Sequence, residues 1–324
     1  MHLDVNIVYN TSMHKRIICF LAILIILLEL ASLAVRPYGG EVYDIKSTDR
    51  KIRDIRTEAD NTIDVLFAGN SLVFQDISPL QVWNRTGITS YDLSDGAMRL
   101  CDQYTLIKNA CTRQRIKLIV LEPGMFFSDA SPYKDDFALP TNLIEKIFPI
   151  FHYHTFYKAW SFSDDDESVR ITRLMKGFQT TEDTTPYTGG SDYMEENEKP
   201  EEIQDLNRRY LNDIVSFCNE NGIKIIVAAL PSPVNYNMGK HKAVSEWADE
   251  YGIEFIDLNL MQEELGIDWN TDTKDGGDHL NIEGSKKVTG FLAEYISDGY
   301  GLADHRGEAG YEKWEQDYKE AALY

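Results

Sequence analysis

The longest apolar stretch of the sequence lies near its start, where residues 17–35 read IICFLAILIILLELASLAV with Glu29 as the one charged residue. About nineteen apolar residues are close to the length with which a helix crosses the hydrocarbon core of a bilayer. Basic residues at 14–16 precede the stretch, so the positive-inside tendency places residues 1–16 in the cytoplasm and the rest of the chain outside. The pattern predicts a single-pass transmembrane signal anchor at 17–36.

A cleaved signal peptide is the alternative interpretation of this stretch, because the small residues in ASLA at 31–34 could serve as a cleavage site. The apolar stretch and the leader before it are both longer than those of a usual signal peptide. We therefore expect an uncleaved anchor, which places the protein in the cell membrane.

Beyond residue 61 the sequence alternates short β-rich runs with segments of helical periodicity. Some of the runs are continuously apolar, which is typical of strands that are buried on both faces of a parallel sheet. The clearest helix covers 201–220 and ends before Asn221-Gly222, a good C-terminal stop. This alternation predicts a three-layer α/β/α domain at 62–300 with a five-stranded, mainly parallel sheet. The predicted strands are residues 63–67, 88–93, 117–121, 223–229 and 253–258.

Other segments flank or interrupt the predicted domain. Residues 37–61 are polar and charged and predict a juxtamembrane connector or short helix, whereas residues 301–324 predict a C-terminal helical tail. Residues 124–200 are too long for an ordinary connection and are interpreted as an insertion. Its aromatic part at 147–162 predicts either the core of a helical cap or a platform for sugar rings or a membrane partner. Its polar part at 163–200 predicts a mobile loop.

The charge of the chain argues against one class of partner. The sequence has 32 Lys and Arg residues against 53 Asp and Glu residues, which gives a formal net charge of −21. Such a charge repels phosphate backbones over most of the protein surface. We therefore expect no nucleic-acid partner.

A serine follows the first predicted strand in the stretch FAGNSLVF at 67–74. Ligands of an open α/β sheet bind beyond the carboxyl ends of the strands, and Ser71 lies where a nucleophile would be placed. The same serine could instead be an N-cap that accepts a backbone N–H from the next helical turn. The local sequence leaves both interpretations open.

A second group of reactive residues lies in the late loop DTKDGGDHLN at 272–281, which contains Asp275, Asp278 and His279. A serine nucleophile needs a general base, and a neutral imidazole needs a carboxylate on its other nitrogen, so the loop holds both groups. The alternatives are a capped helix start with a solvent-facing histidine and a metal site. Because no further ligand occurs at a diagnostic spacing, we expect neither a metal nor another cofactor.

The blocks GNSL at 69–72, LSDGA at 93–97 and DHLN at 278–281 resemble those of the SGNH (GDSL-like) hydrolase superfamily. The resemblance covers about residues 62–298 without the insertion and implies a flavodoxin-like α/β/α fold. It further implies roles for four residues at matching positions. These are Ser71 as nucleophile, Gly96 and Asn70 in the oxyanion and binding region, and His279 as general base.

The sequence departs from the superfamily pattern in two places. The third block has Glu122 and Gly124 but no asparagine, so the resemblance implies that the oxyanion hole is weaker or completed by another group. The carboxylate that usually precedes the histidine by three residues is replaced by Gly276. Asp275 and Asp278 are therefore both candidates, and we rank Asp275 first because the glycines could let the loop fold it back onto the ring.

The anchor, the insertion and the DHLN block resemble more narrowly a membrane-anchored branch of the superfamily, the DltD-like and exopolysaccharide O-acetylation proteins. This resemblance implies acyl-ester transfer or hydrolysis on a cell-envelope polysaccharide or teichoic-acid-like polymer, through an acyl-serine intermediate and beside a membrane-bound O-acyltransferase. A simple carbohydrate or lipid esterase is one alternative. A catalytically inactive binding or scaffold protein that partners the acyltransferase is the other.

Overall fold

A computed structural model describes residues 3–35, 47–130, 144, 148, 150–153, 167–190, 192–195 and 199–321. The chain divides into two compact units, one of Met1–Ile45 and Tyr133–Ser163 and the other of Lys46–Pro132 and Asp164–Tyr324. The strands are β1 (Val65–Gly69), β2 (Ser90–Ser94), β3 (Leu118–Leu121), β4 (Lys224–Ala229) and β5 (Glu254–Asp257). The described helices are α1 (Leu3–Val35), α2 (Ser47–Ile55), α3 (Ser71–Asp76), α4 (Pro79–Thr86), α5 (Leu100–Ala110), α6 (Ile150–Tyr153), α7 (Glu167–Leu174), α8 (Asp205–Asn221), α9 (Met238–Tyr251), α10 (Gln262–Leu265), α11 (Ile282–Tyr300) and α12 (Glu312–Ala321). Short 3₁₀ turns occupy Pro123–Phe127, Asp192–Met194 and Leu258–Leu260.

The first unit contains the N-terminal apolar helix α1. Its portion Met13–Leu33 has the length and composition of a membrane span, with a mean hydropathy of 2.5. The large apolar side chains of this portion are exposed, and an exposed apolar surface of this extent requires an apolar environment or a partner. The predicted apolar helix is thereby confirmed as a candidate span, and the helix also continues into the segment predicted as cytoplasmic.

The aromatic part of the insertion belongs to the same unit. The backbone N–H of Ile150 donates a hydrogen bond of 3.1 Å to Ser32 Oγ near the end of α1. The rings of Phe148 and Phe151 pack edge to face with their centres 6.3 Å apart. The rest of the predicted cap at 147–162 lies outside the described residues.

The second unit is built on a five-stranded sheet with the order β2-β1-β3-β4-β5. Every neighbouring pair is parallel, with registers such as Val65 opposite both Ser90 and Leu118. This is the flavodoxin-like order. The predicted five-stranded α/β fold is confirmed, and each strand lies within its predicted range or extends at most two residues beyond it.

Alternate residues of the strands contribute to two separate cores, which makes the unit three-layered. Leu66 and Ala68 of β1 face a core that includes residues of α5, α8 and α9. Val65 and Phe67 face the opposite core, which includes residues of α3 and α11. Because both faces of the sheet are covered, the strands are apolar throughout, as parallel strands require.

Lys176 joins three segments that lie outside the central sheet. Its ammonium group is fully buried and pairs with Glu58 at 2.8 Å and with Asp317 of α12. The same group lies 4.7 Å from the ring centre of Trp314, which packs against Trp83 of α4. Residues from the connector, the insertion and the C-terminal segment therefore share one buried ion cluster in the α/β unit.

The polar part of the insertion follows the surface of the α/β unit over residues 167–190. After α7, its backbone N–H and C=O groups make hydrogen bonds of 2.7–3.1 Å with the rest of the unit. These bonds are Asp92 N to Lys176 O, Gln179 N to Phe74 O, Thr185 N to Thr273 O, Tyr187 N to Trp269 O and Gly276 N to Thr185 O. This stretch has the contacts of an integral part of the domain rather than those of the mobile loop predicted from its composition.

Candidate active site

The candidate site lies at the carboxyl ends of β1 and β3, where the strand order reverses. Ligands of flavodoxin-like sheets bind in the crevice at this switch point, because the connections from the two strands leave in opposite directions. Ser71 is the first residue of α3 and lies two residues after the end of β1 at Gly69, and Glu122 directly follows β3. The fold therefore brings the first and third sequence blocks to the same edge of the sheet.

Ser71 is not the N-cap of its helix. Asn70 takes that position, and its side-chain oxygen accepts a hydrogen bond of 3.0 Å from the backbone N–H of Leu72. A glycine precedes it because a Cβ atom at Gly69 would lie 2.7 Å from the Cβ atom of Glu122. With Asn70 as the cap, the hydroxyl group of Ser71 is available to another partner.

That partner is His279. Ser71 Oγ lies 2.8 Å from His279 Nε2, and His279 Nδ1 lies 2.7 Å from Asp275 Oδ2. The other carboxylate oxygen of Asp275 accepts a hydrogen bond of 2.7 Å from the backbone N–H of His279. The His279 side chain is 12% exposed and that of Asp275 is 37% exposed. The three residues form a continuous hydrogen-bonded chain whose histidine is shielded from most solvent.

Two glycines shape the loop that carries the histidine. Gly276 and Gly277 have φ values of 74° and 92°, a left-handed conformation that residues with a Cβ atom adopt only at a cost. A bridge between Thr273 and Leu280 closes the loop. The reversal at the glycines brings Asp275 back to the ring of His279, so that a spacing of four residues supplies the carboxylate.

Asp278 has a different partner. Its Oδ1 accepts a hydrogen bond from Asn235 Nδ2 and lies 3.6 Å from His279 Nδ1. Ser232 Oγ donates a hydrogen bond of 2.8 Å to the backbone oxygen of Asp278. The loop after β4 thus holds Asp278, whereas Asp275 is the carboxylate in contact with the imidazole.

Glu122 occupies the place where the superfamily pattern has its third block. Its side chain is buried, and Oε1 accepts a hydrogen bond of 2.8 Å from the backbone N–H of Gly124. Burial raises the pKa of the Glu122 carboxyl group to about 7, although hydrogen bonds from the backbone of Gly124 and Asn70 oppose the increase. A Cβ atom at Gly124 would lie 2.9 Å from Glu122 Oε2 and would also contact the Asn70 side-chain nitrogen. A neutral or weakly acidic glutamic acid therefore packs directly beneath the loop that carries the serine.

Gly96, the expected oxyanion donor, lies in an exposed turn after β2. Its N–H donates a hydrogen bond of 2.7 Å to Asp95 Oδ1. The following residue, Ala97, has a φ of 50°, which is uncommon for a residue with a Cβ atom. The amide can serve an oxyanion only after the Asp95 carboxylate has turned away from it.

Asp76 connects the serine helix to the histidine loop. Its carboxyl group is completely buried, and Oδ1 accepts a hydrogen bond of 3.0 Å from the backbone N–H of Leu280, the residue after His279. Burial raises the pKa of Asp76 well above its usual range, so the group carries a proton over a wider pH range than an exposed aspartate. Asp76 of α3, by binding the residue next to His279, therefore helps to fix the distance between Ser71 and His279.

The residues of the candidate site also offer a possible metal-binding group. One ligand atom each of Asp275, Asp278 and His279 lies within 4.8 Å of the others. The imidazole nitrogens, however, already contact Ser71 and Asp275. A metal ion bound here would have to displace one of these hydrogen bonds, so the donor set fits the serine–histidine–aspartate arrangement better.

Three residues of the site's surroundings were not singled out as site residues from the sequence. These are Asp76, Asn235 and, as a buried acid, Glu122. Each one acts through a neighbour that is distant in sequence, for example Asp76 on Leu280 and Asn235 on Asp278. The available signal was weak: Asp76 and Glu122 are carboxylates that immediately adjoin apolar segments, and buried charges of that kind need a partner.

No family model matches the sequence, and no curated protein matches it. The structure is similar to a GDSL-like lipase from Bacteroides thetaiotaomicron, with 11% identity over 78% of this chain and 98% of the other and a TM-score of 0.39. It is also similar to a protein assigned to the lipolytic G-D-S-L family from Desulfitobacterium hafniense, with 12% identity, coverages of 72% and 99% and a TM-score of 0.39. The solved structures similar to this chain thus include GDSL-family proteins, the superfamily that the sequence blocks resemble.

Proposed function

We propose that this chain is a membrane-anchored, extracytoplasmic serine enzyme that transfers or hydrolyses acyl esters on a cell-envelope polysaccharide or teichoic-acid-like polymer. The observation that carries the proposal is the chain of hydrogen bonds from Asp275 through His279 to Ser71, with distances of 2.7 and 2.8 Å. A helix cap or a structural serine needs no imidazole, and a structural histidine needs no serine.

The proposed reaction begins with His279 Nε2 taking the proton of Ser71 as the oxygen attacks the ester carbonyl. Asp275 accepts a hydrogen bond from His279 Nδ1–H, fixes the tautomer and stabilises the imidazolium. The protonated histidine then returns the proton to the leaving alcohol, and an acyl-serine remains. Water or a sugar hydroxyl group, deprotonated by the same histidine, attacks this ester and releases Ser71.

The location and the substrate of the proposed enzyme rest on other observations. The exposed apolar portion Met13–Leu33 supports an anchor in the cell membrane, and the basic residues at 14–16 support a cytoplasmic N-terminus. The sequence resemblance to DltD-like and exopolysaccharide O-acetylation proteins supports a polymer substrate and a membrane-bound O-acyltransferase as partner.

A serine-reactive fluorophosphonate probe tests the catalytic proposal. We expect the full chain in detergent to be labelled at Ser71, because the probe reports a nucleophile activated by an adjacent base. The Ser71→Ala variant should lose the label while retaining the circular dichroism spectrum of the unchanged protein. Ser285→Ala, which removes a buried serine hydroxyl group outside the site, is the matched control and should keep the label.

Two observations favour the scaffold alternative. The N–H of Gly96 is bound to Asp95 rather than presented to a substrate, and the third block lacks an asparagine. A scaffold would therefore show a folded protein that the probe does not label. That result would contradict the catalytic proposal.

The ester content of surface polymers distinguishes transfer from hydrolysis. For an acyltransferase, deletion of the gene should lower the O-acyl content of the polymer, and a copy with Ser71→Ala should not restore it. For an esterase the same deletion should raise the content. Base-released acyl groups, quantified per mole of sugar, provide the measurement, and an unchanged content would contradict both roles on that polymer.

A further inference from the structure

A cavity of about 190 Å³ lies beside the serine helix. It is lined by residues of α2, α3, the turn after β2 and the insertion, among them Lys51, Phe74, Asp95, Thr172 and Gln179. Phe74 is three residues after Ser71, about 4.5 Å along the helix axis, and Asp95 precedes Gly96. The cavity is therefore adjacent to the candidate site.

Lys51 is the most informative residue of the lining. It is 6% exposed, and among the described residues its ammonium group has no hydrogen bond or ion pair. Its close contact is the ring of Phe74, whose centre lies 5.4 Å from Nζ. An ammonium group on a largely buried side chain has limited access to water, and a ligand with acceptor atoms in the cavity would satisfy it.

An acceptor without a donor lies in the same lining. Within the part of the chain that the structure describes, Asp95 Oδ2 is buried and has no hydrogen-bond partner, while Oδ1 of the same carboxylate accepts a hydrogen bond from the N–H of Gly96. The cavity thus offers unsatisfied donors on Lys51 and an unsatisfied acceptor on Asp95. A hydroxyl group both donates and accepts, so neighbouring hydroxyl groups can satisfy the two residues together.

The charges around the cavity favour a neutral ligand over an anion. Arg50 and Lys51 supply two positive charges to the lining, and Asp54 and Asp95 supply two negative ones. Asp92, Asp95 and Asp54 are the carboxyl groups whose charges act on Lys51. Burial lowers the pKa of Lys51, and these carboxyl groups oppose the decrease. A phosphate or carboxylate attracted by Arg50 and Lys51 would also meet the repulsion of Asp54 and Asp95, so the charges of the lining give an anion no net advantage.

The volume of the cavity and the shape of its lining further restrict the class of ligand that fits. The cavity is smaller than the roughly 300 Å³ at which pockets for drug-sized molecules begin, so it suits a single ring. The partly exposed Phe74 ring offers an apolar surface, and the lining around it is polar. A pyranose presents a C–H face and peripheral hydroxyl groups, the same combination of surfaces.

We propose that the cavity between α2, α3 and α7 is a subsite for one neutral sugar ring of the acylated polymer, held by Lys51 and Asp95 and stacked on Phe74. This assignment rests on the proposed function and specifies its substrate as a carbohydrate with a neutral ring next to the ester. The insertion contributes to the subsite because Gln179 N donates a hydrogen bond of 2.7 Å to Phe74 O.

Binding is measured first, independently of catalysis. The probes are methyl α-glucopyranoside, methyl α-galactopyranoside and methyl N-acetyl-α-glucosaminide with full-length Ser71→Ala protein, in a detergent without a sugar headgroup. We expect saturation-transfer NMR signals from at least one glycoside and their loss when Lys51→Met is added. Lys108→Met is the matched control, since Lys108 also lies over an aromatic ring, 5.0 Å from the centre of Tyr104, on an exposed part of α5.

Hydrolysis provides the second measurement. In the unchanged protein, kcat/KM should be at least tenfold higher for the corresponding sugar mono-acetates than for ethyl acetate. The Lys51→Met substitution should lower this ratio about tenfold by raising the KM for the sugar esters. Absence of glycoside binding by the folded Ser71→Ala protein, or equal loss for both esters in Lys51→Met, would overturn the subsite. Competition by inorganic phosphate that disappears in Lys51→Met would identify an anion site instead. Glycoside binding, with neither hydrolysis of any ester nor labelling of Ser71 by the fluorophosphonate probe in the unchanged protein, would leave the subsite standing and refute the proposed function.

Discussion

Replacing Asp275 by Asn is expected to lower kcat/KM for ester hydrolysis by about 10³- to 10⁴-fold. The Asp275 carboxylate contacts His279 Nδ1 at 2.7 Å and the backbone N–H of the same residue at 2.7 Å. An asparagine can keep the second contact through its oxygen, so the loop should retain its conformation. It cannot stabilise the imidazolium, and its amide favours the tautomer that has no free Nε2 lone pair for Ser71.

Asp278→Asn is the matched control for this substitution, because it changes the same atoms three residues away in the same loop. Asp278 is held by Asn235 and lies 3.6 Å from His279 Nδ1, so its activity should stay within about tenfold of the unchanged protein. Steady-state kinetics with p-nitrophenyl acetate, at matched concentrations of folded protein, provide the comparison. Equal losses, or a larger loss in Asp278→Asn, would show that the Asp275 contact is not the one used in catalysis.

Glu122→Gln is expected to change the pH dependence of stability. The pKa of Glu122 is raised from 4.5 to about 7 by burial, so between these values the folded state keeps a proton that the unfolded state has lost. The contribution of this group to the free energy of unfolding is therefore fully present below pH 4.5 and is lost as the pH rises through 7. Over the full range the loss is on the order of 3 kcal/mol.

Glutamine has nearly the same size, keeps an oxygen for the N–H of Gly124 and does not ionise. The stability of Glu122→Gln relative to the unchanged protein should therefore be higher at pH 8 than at pH 4, by on the order of 3 kcal/mol. Urea unfolding at the two pH values measures the difference. Glu220→Gln, at an exposed position of α8, is the control and should show no such change. A parallel pH dependence in the unchanged protein and Glu122→Gln would place the titration of Glu122 outside this range.

The fold could be predicted because its signal is local. Strands that are buried on both faces read as continuous apolar runs, and β3 and β4 begin within one residue of the predicted positions. The order of the strands could not be read from such runs, since periodicity does not state which strands are neighbours. It followed from the resemblance to a flavodoxin-like superfamily.

The residues of the candidate site could likewise be predicted only in part. Ser71 and His279 stand out because their side chains have reactive chemistry at loop positions after strands, and the structure brings them together. Asp76 and Lys51 do not stand out, because an acid or a base near an apolar segment is usually a solvated residue. Their roles depend on burial by segments far away in sequence, and only the folded chain supplies that information.

The composition of the insertion gave no sign of the contacts that its polar part makes over residues 175–187. A segment with few apolar residues cannot form a core of its own, and residues 175–187 contain few of them. Their backbone groups instead pair with β2, α3 and the loop after α10, and Lys176 and Phe178 are buried against the rest of the unit. A polar segment can thus be held in place by contacts with a surface that residues elsewhere in the chain form.

The ion cluster around Lys176 decides where an expression fragment of this protein can be cut. The boundaries suggested by the strand pattern, residues 62 and 300, would remove Glu58 and Asp317 together and keep the lysine. A buried ammonium group without either counterion is among the most destabilising defects that a truncation can introduce. The smallest fragment that preserves charge balance in its interior runs from α2 to α12. It keeps Glu58 and Asp317, the counterions of the buried Lys176, in the same chain as the lysine.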